Sequence, residues 1–266
     1  MKLQGTRRSD RVEDRRGRPA GLAVGGLGLA GMIALAGAVW LLGGDPLVVL
    51  QLAAEQGGST APRAGQDQLA DFASRVLAST EDVWGELLGP RYVPPSMVLF
   101  TDRVASACGR QSAAVGPFYC PGDAKVYLDL SFFDELSRRL GAPGDFAQAY
   151  VLAHEVGHHV QNVTGVEEQV RRRQEADPRS ENAWSVRMEL QADCLAGVWG
   201  HHASSLLEPG DIEEGLRAAG AIGDDVLQAR SRGGVVPESF THGTAAQRQE
   251  ALARGLRSGT LEGCPL

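Results

Sequence analysis

Three histidines and one glutamate lie within one short segment of the chain, LAHEVGHHVQN at residues 152–162. On a helix, His154 and His158 are four residues apart, so both imidazoles project from one face and can bind the same metal ion. Glu155 lies about 100° further round the helix, where it can reach an attacking water without binding the metal. The pattern predicts a hydrolytic zinc site. His159 lies about 140° from His154 and is predicted to be a solvated or capping residue.

A second pair of acidic side chains occurs in the segment ELQAD, residues 189–193. Glu189 and Asp193 are also four residues apart and would share one face of a helix. A catalytic zinc ion needs three protein ligands and one open position. We therefore expect His154, His158 and Glu189 to bind one zinc ion, with Asp193 fixing the tautomer of a ligand histidine. The alternative interpretation of the two acids is an exposed acidic stripe.

A third candidate element is FTHGTAAQRQEAL, residues 240–252. Hydrolysis of an amide passes through a tetrahedral intermediate with oxyanion character, which a hydrogen-bond donor opposite the metal stabilises. His242 is the predicted donor, with Arg248 as its helper or as an orienting residue. The alternative is an ordinary helix start, in which Thr241 or Thr244 caps the helix and Arg248 is solvated.

The spacing of apolar residues indicates which elements must position these side chains. A helical pattern covers residues 69–89, and strand-like runs cover residues 94–102 and 124–130. Strands that precede a series of helices predict an α+β domain, mainly helical, with a small antiparallel sheet. The predicted helices that follow are 131–140, 144–164, 181–204, 211–230 and one that begins near Thr244.

The start of the chain differs in composition from the rest. The first 18 residues carry seven basic and three acidic side chains, whereas the whole chain has a net charge of −7. Residues 20–44 contain no charged side chain and could span a hydrocarbon core of roughly 30 Å as a helix. Basic flanks stay cytoplasmic, so residues 1–19 are predicted to be a cytoplasmic tail. The alternative is a cleaved signal peptide, with small-residue sites at 34–36 or 36–38.

The predicted organisation follows from this single membrane helix. Residues 45–65 read as a linker and residues 66–266 as the catalytic domain, on the extracytoplasmic side of a bacterial cytoplasmic membrane. The domain is acidic, which argues against a nucleic-acid partner.

Four cysteines fit an oxidising compartment. Cys108 and Cys120 bracket a short loop and are the natural pair, which leaves Cys194 to pair with Cys264. Free buried thiols are the alternative.

Several stretches together resemble a known group. The motifs HEVGHHVQN, ELQADCLAG and SFTHGT, with GPFYCP, VYLDLSFF and the opening RRSDRVEDRRG, are similar to a family of bacterial neutral zinc metallopeptidases over nearly the whole chain. More distantly, the motif set resembles the HtpX-like and CAAX-prenyl-protease gluzincins. This resemblance implies a zincin-like domain with His154, His158 and Glu189 as zinc ligands and Glu155 as the catalytic glutamate. It also implies that the third motif holds the late histidine and arginine. Gly243 departs from it, because those relatives usually have proline there.

The resulting hypothesis is a membrane-anchored zinc peptidase that cleaves peptides or proteins, an endopeptidase rather than an exopeptidase, with Glu155 as general base. The strand at 124–130 is the candidate edge for pairing with an extended substrate, or else an ordinary sheet strand. The disulfide-closed loop 108–120 would shape the rim of the cleft. The rival hypotheses are a non-catalytic, zinc-stabilised module for envelope binding or assembly, and an anchored interaction domain without a metal.

Overall fold

The computed structural model describes residues 1–17 and 65–266. These residues form six short strands and eight α-helices, which confirms the predicted α+β, mainly helical class. The strands are β1 (Val12–Asp14), β2 (Ser96–Phe100), β3 (Arg103–Ser106), β4 (Gly109–Ser112), β5 (Phe118–Cys120) and β6 (Lys125–Asp129). The α-helices are α1 (Gln66–Leu88), α2 (Ser131–Arg138), α3 (Asp145–Thr164), α4 (Val166–Ala176), α5 (Glu181–His202), α6 (Asp211–Ala221), α7 (Asp224–Arg232) and α8 (Ala245–Ser258).

The main sheet has four strands in the order β1-β2-β6-β5. Strands β1, β2 and β6 are parallel, and only β5 runs antiparallel to its neighbour β6. The prediction of an antiparallel sheet is therefore wrong. Parallel neighbours need a long crossover connection, and the chain between β2 and β6 supplies one that carries the separate β3–β4 hairpin and β5.

The position of β6 corrects a second prediction about the sheet. Strand β6 lies between β2 and β5 and has a partner on each side, so it is not an edge strand. The edge beside β6 is formed by β5, whose Phe118 lies opposite Tyr127. Strand β5 was not predicted, because three residues between two glycine-containing turns are too short for a strand pattern to emerge.

The basic start of the chain belongs to the folded domain. Strand β1 pairs with β2, with Val12 opposite Met97, and the Ser9 amide donates to the Ser74 carbonyl at 3.1 Å. Met1 and Leu3 are buried in the main hydrophobic core. The Met1 ammonium also lies 2.6 Å from the Asp145 carboxylate at the start of α3.

This packing contradicts the predicted topology. A single membrane crossing within residues 20–44 would put β1 and β2 on opposite sides of a layer roughly 30 Å thick, where they could not pair. Residues 1–17 therefore lie on the same side as residues 65–266. The predicted anchor at 20–44 and nearly all of the linker at 45–65 lie outside the described residues. In the ranges that are described, no helix has both the length and the apolar character needed to cross a membrane.

The helices that carry the candidate site begin and end within about two residues of the predicted limits. The predicted helix 211–230 is instead two helices, α6 and α7, which are separated at Gly223. A Cβ at Gly223 would lie 2.3 Å from the Ala245 amide nitrogen, so α8 approaches the chain too closely there for any larger residue. Helix α4 was not predicted, because its sequence is almost entirely polar and shows little apolar spacing.

Close approach of helices α3 and α5 brings the two predicted metal-binding motifs together. A Cβ at Gly157 would lie 2.9 Å from the Ala192 carbonyl oxygen, so the glycine lets the two backbones touch. Helix α8 approaches α5 in the same way, because a Cβ at Gly255 would lie 1.8 Å from the Cys194 carbonyl oxygen. Such contacts set the separation of the helices, and with it the separation of the polar side chains that they carry.

Both predicted disulfides are present. Cys108–Cys120 joins the β3–β4 hairpin to β5, and Cys194–Cys264 joins α5 to the end of the chain. No free cysteine occurs among the residues described.

Candidate metal centre and cleft

Three side chains from α3 and α5 converge on one point. His154 Nε2 lies 3.2 Å from one carboxylate oxygen of Glu189, and His158 Nε2 lies 3.4 Å from the other. The three ligand atoms all lie within 4.8 Å of one another. Two imidazoles and one carboxylate form the ligand set of many hydrolytic zinc sites, which keep a fourth position open. The residues present therefore fit a zinc ion.

The tautomer of each histidine supports this fit. His154 Nδ1 lies 2.8 Å from Asp193 Oδ1, and His158 Nδ1 lies 2.9 Å from Gln161 Oε1. Both partners are acceptors, so each Nδ1 carries the proton and each Nε2 presents its lone pair to the metal. The structure thus brings together His154, His158, Glu189 and Asp193, as expected from their spacing.

Asp193 is the centre of a buried ionic cluster behind His154. Arg248 donates to both of its carboxylate oxygens, from Nε at 2.9 Å and from Nη2 at 3.0 Å. The Tyr150 hydroxyl donates to Asp193 Oδ1 at 2.6 Å. Burial disfavours the charged form of Asp193, but the charge of Arg248 and the hydrogen bonds from His154 and Arg248 outweigh it and lower its pKa. The carboxylate therefore stays ionised and holds the His154 ring.

Arg248 has a different place from the one expected of an oxyanion donor. Its guanidinium is 3% exposed and is bound by Asp193, Tyr150 and the Ile222 carbonyl oxygen. Its position fits the orienting role, which was one of the two predicted, and excludes the solvated alternative. A helix start is also present, because Thr244 caps α8 in a capping box with Gln247.

A chain of amide groups supports the second histidine. Gln161, which is fully buried, accepts from His158 and donates from Nε2 to the Met188 carbonyl at 2.7 Å and to Gln191 Oε1 at 3.0 Å. Gln191 then donates to the Cys264 carbonyl at 2.9 Å. This chain ends at the Cys194–Cys264 disulfide. The two glutamines were not predicted, although Gln161 lies three residues after His158 on the same helix face, which is a usable signal.

Glu155 is the remaining carboxylate at the centre. It is 8% exposed, lines the same cleft as the three ligands, and has neither a hydrogen bond nor an ion pair within residues 1–17 and 65–266. Burial raises the pKa of Glu155, which makes its carboxylate a stronger base than an exposed glutamate. A free carboxylate beside a metal site is the arrangement that a general base requires.

His242 also lines the cleft. Its Nδ1 lies 3.1 Å from Asp224 Oδ1, and its backbone amide donates to Asp224 Oδ2 at 2.7 Å. The side chain is about half exposed, which leaves Nε2 accessible from the cleft. Its Thr241 neighbour contacts the ring and does not cap α8. His242 is thus held in position by one carboxylate, like His154, but on the exposed side of the site.

The other histidines lie away from the metal ligands. The prediction of a solvated or capping role for His159 is wrong, because this side chain is 2% exposed. Its Nε2 donates to the Val93 carbonyl at 2.7 Å, and its Nδ1 accepts from the Tyr119 hydroxyl at 3.0 Å. His159 therefore fixes α3 against the edge of the sheet, with its pKa lowered by burial. His201 and His202 are exposed at the far end of α5.

The cleft that holds these groups has a volume of about 800 Å³. The three candidate ligands line it, and so do residues 114–119, which include the first two residues of strand β5. Apolar side chains from α2, α3, the α6–α7 turn and α7 also line it, namely Phe132, Val151, Ile222 and Leu227. A cleft of this size, open to solvent, can admit an extended peptide.

Comparison with known proteins agrees with the class of site that these residues define. The family described as "Putative neutral zinc metallopeptidase" matches residues 1–265, so the chain belongs to this zinc peptidase family.

Among its relatives, the Escherichia coli (strain K12) protein YpfJ is 47% identical over 99% of this chain and 98% of its own length. The Mycobacterium tuberculosis (strain H37Rv) protein Rv2575 is 44% identical over 74% of this chain and 71% of its own length. No solved structure matches the chain significantly.

Proposed function

We propose that this protein is a zinc-dependent peptidase with a zincin-like active site on helices α3 and α5. The observation that carries the proposal is the pairing of a three-ligand centre with a free, buried carboxylate. His154, His158 and Glu189 would hold one zinc ion, and Glu155 lies in the same cleft without a partner among the residues described. A structural zinc site is usually closed by four protein ligands and has no use for such a base.

Zinc, when bound, supplies a Lewis acid that polarises the scissile carbonyl and makes a water molecule more acidic. The Glu155 carboxylate accepts the proton of that water as it attacks the carbonyl carbon. Glu155 then returns the proton to the leaving amine. The raised pKa of Glu155 suits both steps, because a carboxyl group with a pKa nearer neutrality accepts and donates more readily.

Two further residues, His242 and Arg248, would support the reaction in different ways. His242, as an imidazolium, would donate a hydrogen bond from Nε2 to the developing oxyanion while its Nδ1 proton is held by Asp224. Arg248 acts through Asp193 and so is a positioning residue, whose contacts hold the His154 ring at the correct angle.

The substrate would bind in an extended conformation along β5. This strand forms one edge of the sheet and lines the cleft at Phe118 and Tyr119. An edge strand offers unpaired backbone groups to a peptide, and pairing of this kind gives affinity without requiring a particular side chain. A peptide held along an open edge can extend in both directions, which favours endopeptidase activity.

The two disulfide bonds support a proposal about the cellular compartment in which the protein works. Two disulfides are expected to persist only where the environment is oxidising, so we propose that the domain functions outside the cytoplasm. Residues 1–17 would share that compartment, because β1 is part of the same sheet.

The test compares the wild-type protein with Glu155→Gln, each oxidised and loaded with zinc, on a pool of quenched random peptides. The wild type is expected to cut, and Glu155→Gln is expected to hold zinc but to be slower by at least about a thousandfold. Equal cleavage by both proteins would contradict the role of Glu155. If both hold zinc and neither cleaves, the non-catalytic zinc module becomes the better account.

A further inference from the structure

The start of helix α4 presents two adjacent glutamates in different directions. Helix α4 follows α3 after a left-handed turn at Gly165. Glu168 is exposed, and its carboxylate accepts from Arg171 Nε at 3.0 Å and from Arg172 Nε at 2.8 Å. Glu167 faces the other way and lines the cleft together with His158. One of the two carboxylates is therefore part of the surface, and the other is part of the site.

Glu167 is half-buried and has no hydrogen bond or ion pair in the described part of the chain. Arg171, four residues later, is bound by Glu168 and Glu175 instead. Burial raises the pKa of Glu167, which reflects the cost of withdrawing a carboxylate from water without a compensating partner. The helix dipole favours acidic residues in the first turn, but it favours both glutamates equally. It does not explain why only Glu167 faces the cleft.

The other charged groups of the cleft leave this carboxylate without a cation. Arg248 is bound to Asp193 behind the metal ligands. Glu135, the other acid on the cleft wall, accepts from Arg139 Nη1 at 2.9 Å. Within residues 1–17 and 65–266, no cation is thus bound to the Glu167 carboxylate, and the charges of His158 and Arg171 act on it without a hydrogen bond or ion pair.

We infer that Glu167 recognises a cationic group of the substrate, which selects peptides that carry a basic side chain or a free α-amino group close to the scissile bond. This inference rests on the proposed peptidase function and names the substrate class of the same site. An ammonium or guanidinium group of the substrate would pair with a carboxylate that is already partly desolvated. Such pairing also discriminates against acidic residues at that position, because like charges would meet in the cleft.

The test uses a positional library of quenched peptides, prepared both with a free N-terminus and with an acetylated one. Each position compares lysine with norleucine, which has a similar length and no charge. The wild type is expected to prefer lysine at one position, or the free N-terminus, by about tenfold. A preference for lysine in acetylated peptides identifies a side-chain subsite, whereas a preference for the free N-terminus in the norleucine series identifies an α-amino subsite.

Three variants show which residue is responsible. Glu167→Gln should reduce the preference to less than about threefold, and Glu167→Lys should shift it towards acidic residues. The matched control is Glu168→Gln, which removes the neighbouring charge and should leave the preference unchanged. A preference that survives in Glu167→Gln, or a wild type that cleaves without any preference for a cation, would overturn the inference.

A binding measurement separates this inference from the proposed function. Two zinc-loaded proteins are titrated with fluorescent lysine and norleucine forms of the library peptides. One carries only Glu155→Gln, and the other carries Glu155→Gln together with Glu167→Gln. Tighter binding of lysine peptides that is lost in the double variant supports the role of Glu167 even if the wild type cleaves nothing. Equal binding of both forms by zinc-loaded Glu155→Gln would refute that role even if the wild type is an active peptidase.

Discussion

The two sides of the metal centre are built in different ways. Behind the metal ligands, Asp193, Arg248, Gln161 and Gln191 form a buried set of hydrogen bonds in which each polar group has a partner. In front of them, Glu155 and Glu167 have none within the residues described, and His242 is half exposed. We call these two regions the back and the front of the site.

This difference indicates a division of labour. Buried networks that are fully satisfied hold their members in one arrangement, which a metal site needs. Groups without protein partners remain available to water and substrate, which a catalytic cleft needs. Changes at the back should therefore alter zinc binding and stability, whereas changes at the front should alter turnover and substrate choice with zinc still bound.

The largest effect is expected from Asp193→Asn. Each side of the site has one aspartate that holds a histidine Nδ1, which makes Asp224→Asn the matched variant at the front. Asp193→Asn leaves the buried Arg248 with only the Glu189 carboxylate, at 4.0 Å, as a counter-charge and should cost about 3–5 kcal/mol of stability, with zinc affinity at least about 100-fold weaker. Urea denaturation and chelator competition measure the two quantities. Asp224→Asn should keep its zinc, and loss of zinc from that variant would contradict the division.

The two disulfides allow a comparison of stability. Cys194–Cys264 closes a sequence separation of 70 residues and Cys108–Cys120 one of 12. The conformational entropy of the unfolded chain predicts that Cys194→Ala with Cys264→Ala lowers the free energy of unfolding by about 4 kcal/mol. Cys108→Ala with Cys120→Ala should lower it by about 3 kcal/mol. Only the first pair of substitutions should also weaken zinc binding, because the Cys264 carbonyl anchors Gln191. Equal zinc affinity in both double variants would show that the amide chain does not reach the metal.

At the front, His242→Ala should slow cleavage by about 10²-fold through loss of an oxyanion donor. Zinc affinity and the urea midpoint should match those of the wild type, since the ring is half exposed and contacts no metal ligand. Steady-state kinetics on one optimised peptide, together with zinc analysis, tests this expectation. An unchanged kcat would remove His242 from the active site.

A smaller effect is expected at the end of helix α3. Gln161→Leu removes the acceptor of the His158 Nδ1 proton and should weaken zinc binding by about 10- to 100-fold. The adjacent control, Asn162→Leu, breaks only the hydrogen bond from Asn162 Nδ2 to the Tyr119 hydroxyl. Competition with a chromogenic chelator gives both affinities. Similar affinities in the two variants would mean that the Gln161 contact is incidental.

Sequence spacing predicted the three proposed ligands and Asp193 more completely than the contacts that surround them. The i, i+4 pairs in α3 and α5 indicated which side chains share a face, because helix geometry is regular. Gly157 has no side chain, which lets α3 touch Ala192 of α5, and this role depends on a contact between helices. The hydrogen-bonded amide groups of Gln161 and Gln191 depend on such a contact as well. Spacing within one helix contains no information about such contacts.

The errors occurred where long-range pairing decides the structure. The β1 strand has three residues and lies in a basic segment, yet it pairs with β2 more than 80 residues later. Charge and hydropathy alone favoured a separate tail on the other side of a membrane. The identity of the sheet edge likewise depended on β5, whose three residues carry no detectable alternation.

The most direct test of the division compares the two glutamates of the centre by zinc content. Glu189→Gln and Glu155→Gln remove one carboxylate charge each, from positions that line the same cleft. Zinc bound per chain is measured by elemental analysis after dialysis against a weak chelator, with folding checked by circular dichroism. We expect about one zinc per chain in the wild type and in Glu155→Gln, and almost none in Glu189→Gln. Retention of zinc by Glu189→Gln, or its loss from Glu155→Gln, would contradict the assignment of ligand and base.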